Sequence, residues 1–169
     1  MNPVSNNIAF AVPLIVGLAV TVCTIVVHAA AGMTTMRVAQ LHFARGRAGT
    51  SIVADLPIIM GCLMVFMCAH LIEMAEWAVL LMRLGEFHGF ATAFYHSAEN
   101  YTTLGYGELV MGPNWRLLGP LEATDGMLMF GLSTAILFNL IIRLGQLRSQ
   151  DHIMWADPPE PKSQSGERH

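Results

Sequence analysis

Ala93-Phe94-Tyr95-His96-Ser97-Ala98-Glu99-Asn100-Tyr101-Thr102-Thr103-Leu104-Gly105-Tyr106-Gly107-Glu108 is the stretch on which the reading of the chain turns. Residues 89–101 suit a helix, yet they are too few and too polar to cross a bilayer. A glycine-rich loop follows at once. On either side stand apolar runs, residues 56–82 and 117–144, each long enough to span a membrane. A short helix that turns into a loop between two spans reads as a re-entrant segment. Non-helical backbone at membrane depth is tolerated only where protein buries it or where it lines water. That constraint by itself points to a pore.

Working outward, residues 8–31 form a further apolar run. As a helix it covers about 36 Å, against a hydrocarbon core of about 30 Å. It is too long for a signal-peptide core and has no basic lead-in, so no cleavage is expected. Pro13 falls in its second turn, where proline is tolerated. His28 near its end reads as a packing residue. Residues 34–51 carry Arg37, Arg45 and Arg47. This stretch reads equally as a continuation of the first helix lying on the membrane surface and as a solvated basic loop. Gly46 and Gly49 mark its end, and Thr50, Ser51 or Asp55 is placed to cap the second span. In residues 56–82 the polar side chains come late. His70, Glu73 and Glu76 are expected near the far interface, with Trp77 in an interfacial belt. Pro120 lies in the first turn of the third span, and the polar stretch after Leu147 reads as disordered. It is too short for a folded ligand-binding domain.

Composition narrows the classes. More than half of the 169 residues are apolar and only 12% are charged, with no Lys, Arg, Asp or Glu from Met1 to Met36. The chain has no basic stripe, which leaves nucleic-acid binding without support. Cys23, Cys62 and Cys68 lie in apolar runs without metal-ligand spacing and read as free thiols in the membrane. The methionines read as packing and lipid-facing side chains. Basic residues cluster on one side of the spans (Arg37, Arg45, Arg47, Arg143, Arg148, Lys162, Arg168), leaving Arg83 and Arg116 on the other. The positive-inside rule then puts the N-terminus outside and the C-terminus in the cytoplasm.

The quoted stretch resembles the pore helix and selectivity filter of the tetrameric potassium-channel family. The resemblance continues through Trp115-Arg116-Leu117-Leu118 and Gly126-Met127-Leu128-Met129-Phe130-Gly131-Leu132-Ser133-Thr134-Ala135, which are similar to the family's inner helix. It covers roughly residues 90–140. It implies K+ bound at Thr103, Leu104, Gly105 and Tyr106, with Gly107 completing the filter. It also implies filter support from Tyr95, His96, Glu99, Thr102 and Glu108, and a gating hinge at Gly126 or Gly131. The departures are Leu104 where the family usually has valine, Glu108 where it has aspartate, and His96 in place of a second aromatic. They alter the packing behind the filter and remove no pore ligand.

The chemistry suits these residue types. A permeating cation exchanges its water for backbone carbonyls, which offer hard oxygen without net charge. Turning successive carbonyls to one side needs dihedrals that Gly105 and Gly107 adopt cheaply. Thr103 can add its hydroxyl, and Tyr106 is expected to point away and brace the loop. The short helix aims its partially negative C-terminal end at the cavity. One chain carries one loop, so a closed ring requires four copies.

Four other acidic side chains keep two readings each. Glu99 and Glu108 either approach closely enough to share a proton or stand as separate solvated carboxylates. Asp125, with Ser133 and Thr134, either faces the cavity or makes interhelical hydrogen bonds. Glu122 is expected to meet the pore helix or the second span. The absence of regularly spaced arginines excludes a voltage sensor.

The expected architecture is therefore an all-α membrane protein. Residues 1–51 supply an N-terminal span and linker, 52–146 a pore domain, and 147–169 a disordered tail. The expected function is that of a potassium-selective homotetrameric channel in the plasma or inner membrane, not an enzyme, without cofactor and surrounded by membrane lipids. The alternatives are a poorly selective cation pore, a non-conducting regulatory subunit, and an intramembrane metalloenzyme using His70, Glu73 and Glu76.

Overall fold

The computed structural model describes residues 3–46 and 48–154. Four helices come in order: α1 (Pro3–Ala44), α2 (Ile52–Arg83), α3 (Phe90–Tyr101) and α4 (Leu118–Met154). No strand occurs among the described residues. Three helices are apolar and long enough to cross a membrane, namely α1, α2 and α4. The short α3 lies between α2 and α4 and touches both, while α1 packs on α2 and α4 and makes no contact with α3.

α1 does not stop at Ala31. Its 42 residues give about 60 Å of helix, twice the hydrocarbon thickness. The basic stretch continues the first helix and stays with the bundle instead of lying along the surface. Packing explains this. Ala31 meets Phe66 and Ala69, and Ala39 with Phe43 meets Ile58, Cys62, Leu140 and Leu144. Because α1 begins at Pro3, Pro13 sits inside the helix and not in its second turn.

α2 begins where one of the candidate caps places it. The Ser51 hydroxyl accepts from the Ala54 amide at 3.1 Å. α4 begins with Pro120 in its first turn and runs past the expected boundary at Leu147 to Met154. The rest of the expected tail, 155–169, lies outside the described residues, as do Arg47, Lys162 and Arg168.

The elbow between α1 and α2 is fastened to the far end of α4. Gly49 has φ +78°, and a Cβ on it would lie 2.7 Å from Leu147 Cβ and 3.0 Å from the Arg148 amide nitrogen. Only glycine combines that dihedral with that approach. The buried Asp55 carboxylate accepts from the Gly49 amide at 2.9 Å and from the Arg148 guanidinium at 2.7 Å. Of the three cysteines, only Cys62 is buried in the packing; Cys23 and Cys68 face outward, and all three are free.

Asp55→Ala strips the partner from both donors at once. The expected loss is about 1.5–3 kcal/mol, the usual range for hydrogen bonds to a charged group. It should appear as a lower thermal midpoint of the purified protein in detergent, and an unchanged midpoint would show that the elbow holds without it.

Candidate ion-conduction site

The site is built by holding α3 from both sides. Gly89 caps its start in an extended conformation. Ser97 hydrogen-bonds the Met74 carbonyl of α2 at 2.7 Å and also the Glu122 carboxylate of α4. Asn100 donates to Glu122 at 3.4 Å, so Glu122 meets the pore helix and not the second span. At the end of α3, the fully buried Tyr101 donates its hydroxyl to Glu73. The Tyr101 carbonyl lies so close to α4 that a Cβ on Gly126 would come within 2.0 Å of its oxygen.

Beyond Tyr101 the backbone leaves helical geometry in an alternating pattern. Thr103, Gly105 and Gly107 have φ of +59°, +55° and +78°, and Thr103 is the only non-glycine with positive φ among the described residues. Alternating right- and left-handed residues turn successive amides to one side and successive carbonyls to the other. The amide side is tied down, with the Leu104 and Gly105 N–H groups both donating to the Glu99 carbonyl at 2.8 and 3.2 Å. The opposite face is open. Residues 102–108 are exposed on the single chain, Tyr106 to 66%, and a Cβ on Gly105 or Gly107 would meet nothing within 4 Å. A cleft of about 380 Å³ flanks the loop, lined by His96, Glu99, Thr103, Gly105 and Arg116 among others.

The support residues separate. His96 is buried, lies with its ring centroid 4.7 Å from that of Phe87 in a tilted contact and accepts from Asn100 at 2.9 Å. Glu99 is buried while Glu108 is exposed, and no hydrogen bond joins them. Tyr95 is 43% exposed on the single chain. The Thr102 hydroxyl returns to the Ala98 carbonyl at 2.6 Å, closing the helix end. One support residue escaped the sequence reading. Glu86, placed outside the second span, accepts from the Gly112 amide at 2.6 Å and anchors the descending limb of the loop. Spacing cannot show a tie between a linker and a loop 26 residues later.

Of the two readings of Asp125, the structure has the interhelical hydrogen bonds: the side chain is buried between three helices, 2.9 Å from both the Trp77 indole nitrogen and the Thr24 hydroxyl. Trp77 is fully buried there and is no interfacial anchor. Ser133 likewise turns inward, to the Met129 carbonyl and toward His70, whereas Thr134 is exposed. Gly126 is a contact point with α3, while Gly131 has nothing within 4 Å of a would-be Cβ. Glu73 and His70 are buried inside the bundle. They lie beneath α3, bonded to Tyr101.

The arrangement is a short helix wedged between two spans, with an exposed loop after it in which positive φ recurs at every second residue. A family model described as Ion channel matches residues 58–143, just over half of the chain. The chain belongs to this ion-channel family. The match begins in α2 and ends in α4, taking in α3 and its loop, so α1 stands outside the family's pore unit. No curated protein and no solved structure matches. As an ion channel with three membrane-capable helices, the molecule is a membrane protein.

Gly126→Ala and Gly131→Ala should therefore part company. The first forces α3 off α4, an overpacking cost of about 1–3 kcal/mol delivered at the base of the loop. Ion flux in liposomes should fall at least roughly tenfold by that energy, with Gly131→Ala near wild type. Equal flux in the two variants would remove the contact role assigned to Gly126.

Proposed function

We propose that the protein is a potassium-selective channel in which four copies of the loop 103–107 surround a common axis. The observation that carries this reading is the recurrence of positive φ at Thr103, Gly105 and Gly107, with the Leu104 and Gly105 amides tied to the Glu99 carbonyl. A row of carbonyls fixed from behind replaces a cation's hydration shell without itself reorganising. Thr103, Leu104, Gly105 and Tyr106 supply the oxygens for K+, and Thr134 and Gly131 of α4 border the pathway.

Four copies are supported by what the single chain leaves uncovered. Carbonyls at membrane depth with neither water nor protein facing them would each cost several kcal/mol. A ring turns that liability into an ion pathway. An exposed Tyr106 and a cleft of about 380 Å³ beside the same loop are the two halves of a contact that a neighbouring copy would complete. Much of each span also remains outward-facing, as lipid and neighbouring subunits require.

The proposed orientation puts the N-terminus outside and the C-terminus in the cytoplasm of the cell membrane. Arg45, Arg143 and Arg148 stand at the end of the bundle where α1 stops, α2 starts and α4 finishes. The loop then opens outward, and the C-terminal end of α3 points to the cavity.

The test is potassium-driven flux in liposomes with the purified protein. Native chain should conduct, with a reversal potential following potassium over sodium, and native mass should correspond to four chains. Gly105→Ala should reduce flux by roughly tenfold or more, because alanine at positive φ costs about 1 kcal/mol or more in each of four subunits. Equal flux from Gly105→Ala, or reversal insensitive to the potassium gradient, would overturn the filter assignment.

A further inference from the structure

We propose that His28, His70 and Glu73 form a binding site for a zinc-like divalent metal ion, at the point where α1 meets the pore unit. The sequence offered His70, Glu73 and Glu76 as a cluster on one helix. The structure dissolves that set and builds another, in which His28 arrives from α1 and one ligand atom from each of His28, His70 and Glu73 lies within 4.8 Å of the others. His28 Nδ1 stands 3.0 Å from one Glu73 oxygen and His70 Nδ1 stands 3.1 Å from the other. Two imidazoles and a carboxylate are a donor set suited to zinc, cobalt or nickel.

Three observations go beyond the clustering. The carboxylate has no Lys or Arg partner, since its ion-pair contacts among the described residues are the two imidazoles. A second carboxylate, Asp125, is buried nearby on Thr24 and Trp77, also without a basic partner among the described residues. Burying such charge uncompensated is costly, and a divalent cation supplies the compensation. Next, His28 Nε2 is buried and has no hydrogen-bond partner, so the ring's one hydrogen bond is that of Nδ1 to Glu73, the atom it presents to the cluster. Finally, His70 already has the outer contact that metal-bound histidines usually make, with Nε2 3.3 Å from the Ser133 hydroxyl.

A hydroxyl oxygen lies beside these three donors. The Tyr101 hydroxyl lies 3.2 Å from His70 Nδ1 and bonds Glu73. All four side chains are at most 5% exposed. On binding, each ring offers Nδ1 and carries its proton on Nε2, so the proton that His28 Nδ1 donates to Glu73 beforehand moves to Nε2. The metal would thus connect α1 to the last residue of α3, two elements that do not touch directly. This site does not rest on the potassium reading, and its test needs no flux.

The experiment uses the full chain, purified in detergent, stripped with chelator and reloaded with zinc alone or cobalt alone. About one zinc per chain should survive desalting, and cobalt should give the visible absorption of a low-symmetry nitrogen–oxygen site. His28→Ala and Glu73→Gln should each weaken zinc binding roughly tenfold or more, while His88→Ala, at an exposed histidine, should leave it unchanged. Native protein that retains no zinc and shows no cobalt spectrum overturns the proposal without reference to any variant. So does equal retention by native protein and a folded His28→Ala.

Discussion

Peptide groups inside a membrane must find partners, and the loop after Tyr101 is where this chain comes closest to breaking that requirement. The Glu99 carbonyl resolves half of the problem by taking the amides of Leu104 and Gly105. That is possible only because α3 ends at a fixed height, and its height is set by contact between the Tyr101 carbonyl and the bare face of α4 at Gly126. The other half, the carbonyls of 103–107, accepts no backbone hydrogen bond among the described residues. Support behind and open space ahead are the two sides of one construction.

The interior that provides the support is unusually polar for a membrane bundle. Ser97, Glu122 and Asn100 join α3 to α4; Tyr101 and Glu73 join α3 to α2; Thr24, Trp77 and Asp125 bring in α1. Each link is a hydrogen bond in a medium that offers no competing water, so directional contacts set the registry that non-directional apolar packing would leave loose. Met74, Trp77, Leu81, Met111, Leu118 and Met129 fill the space around Tyr101.

The span count, the short helix and the loop were legible in the sequence because hydrocarbon imposes length and polarity limits that read directly from residues. The glycines at 105 and 107 were legible for a similar reason, since few other residues take those dihedrals. Thr103 shows the limit, as no rule marks a threonine for positive φ in advance. What remained hidden depends on which helix faces which. Asp125 was weighed between a cavity and a neighbouring helix, and spacing along α4 cannot decide that without the position of Thr24. His28 passed for packing because its partner lies 45 residues away. Whether α1 continued past Ala31 stayed open against a basic loop because the residues there are polar, and tertiary contact with α2 and α4 is what carries the helix on.

The fastening of the elbow has a mechanical consequence. Because Asp55 grips Arg148 and Gly49 abuts Leu147, the lower half of α4 is not a free lever. Any outward swing there must either rupture the carboxylate–guanidinium clasp or haul the α1–α2 hairpin with it. The moving body is then three rods hinged as one, and the work of dilating the passage is shared with the lipid that the outermost rod displaces.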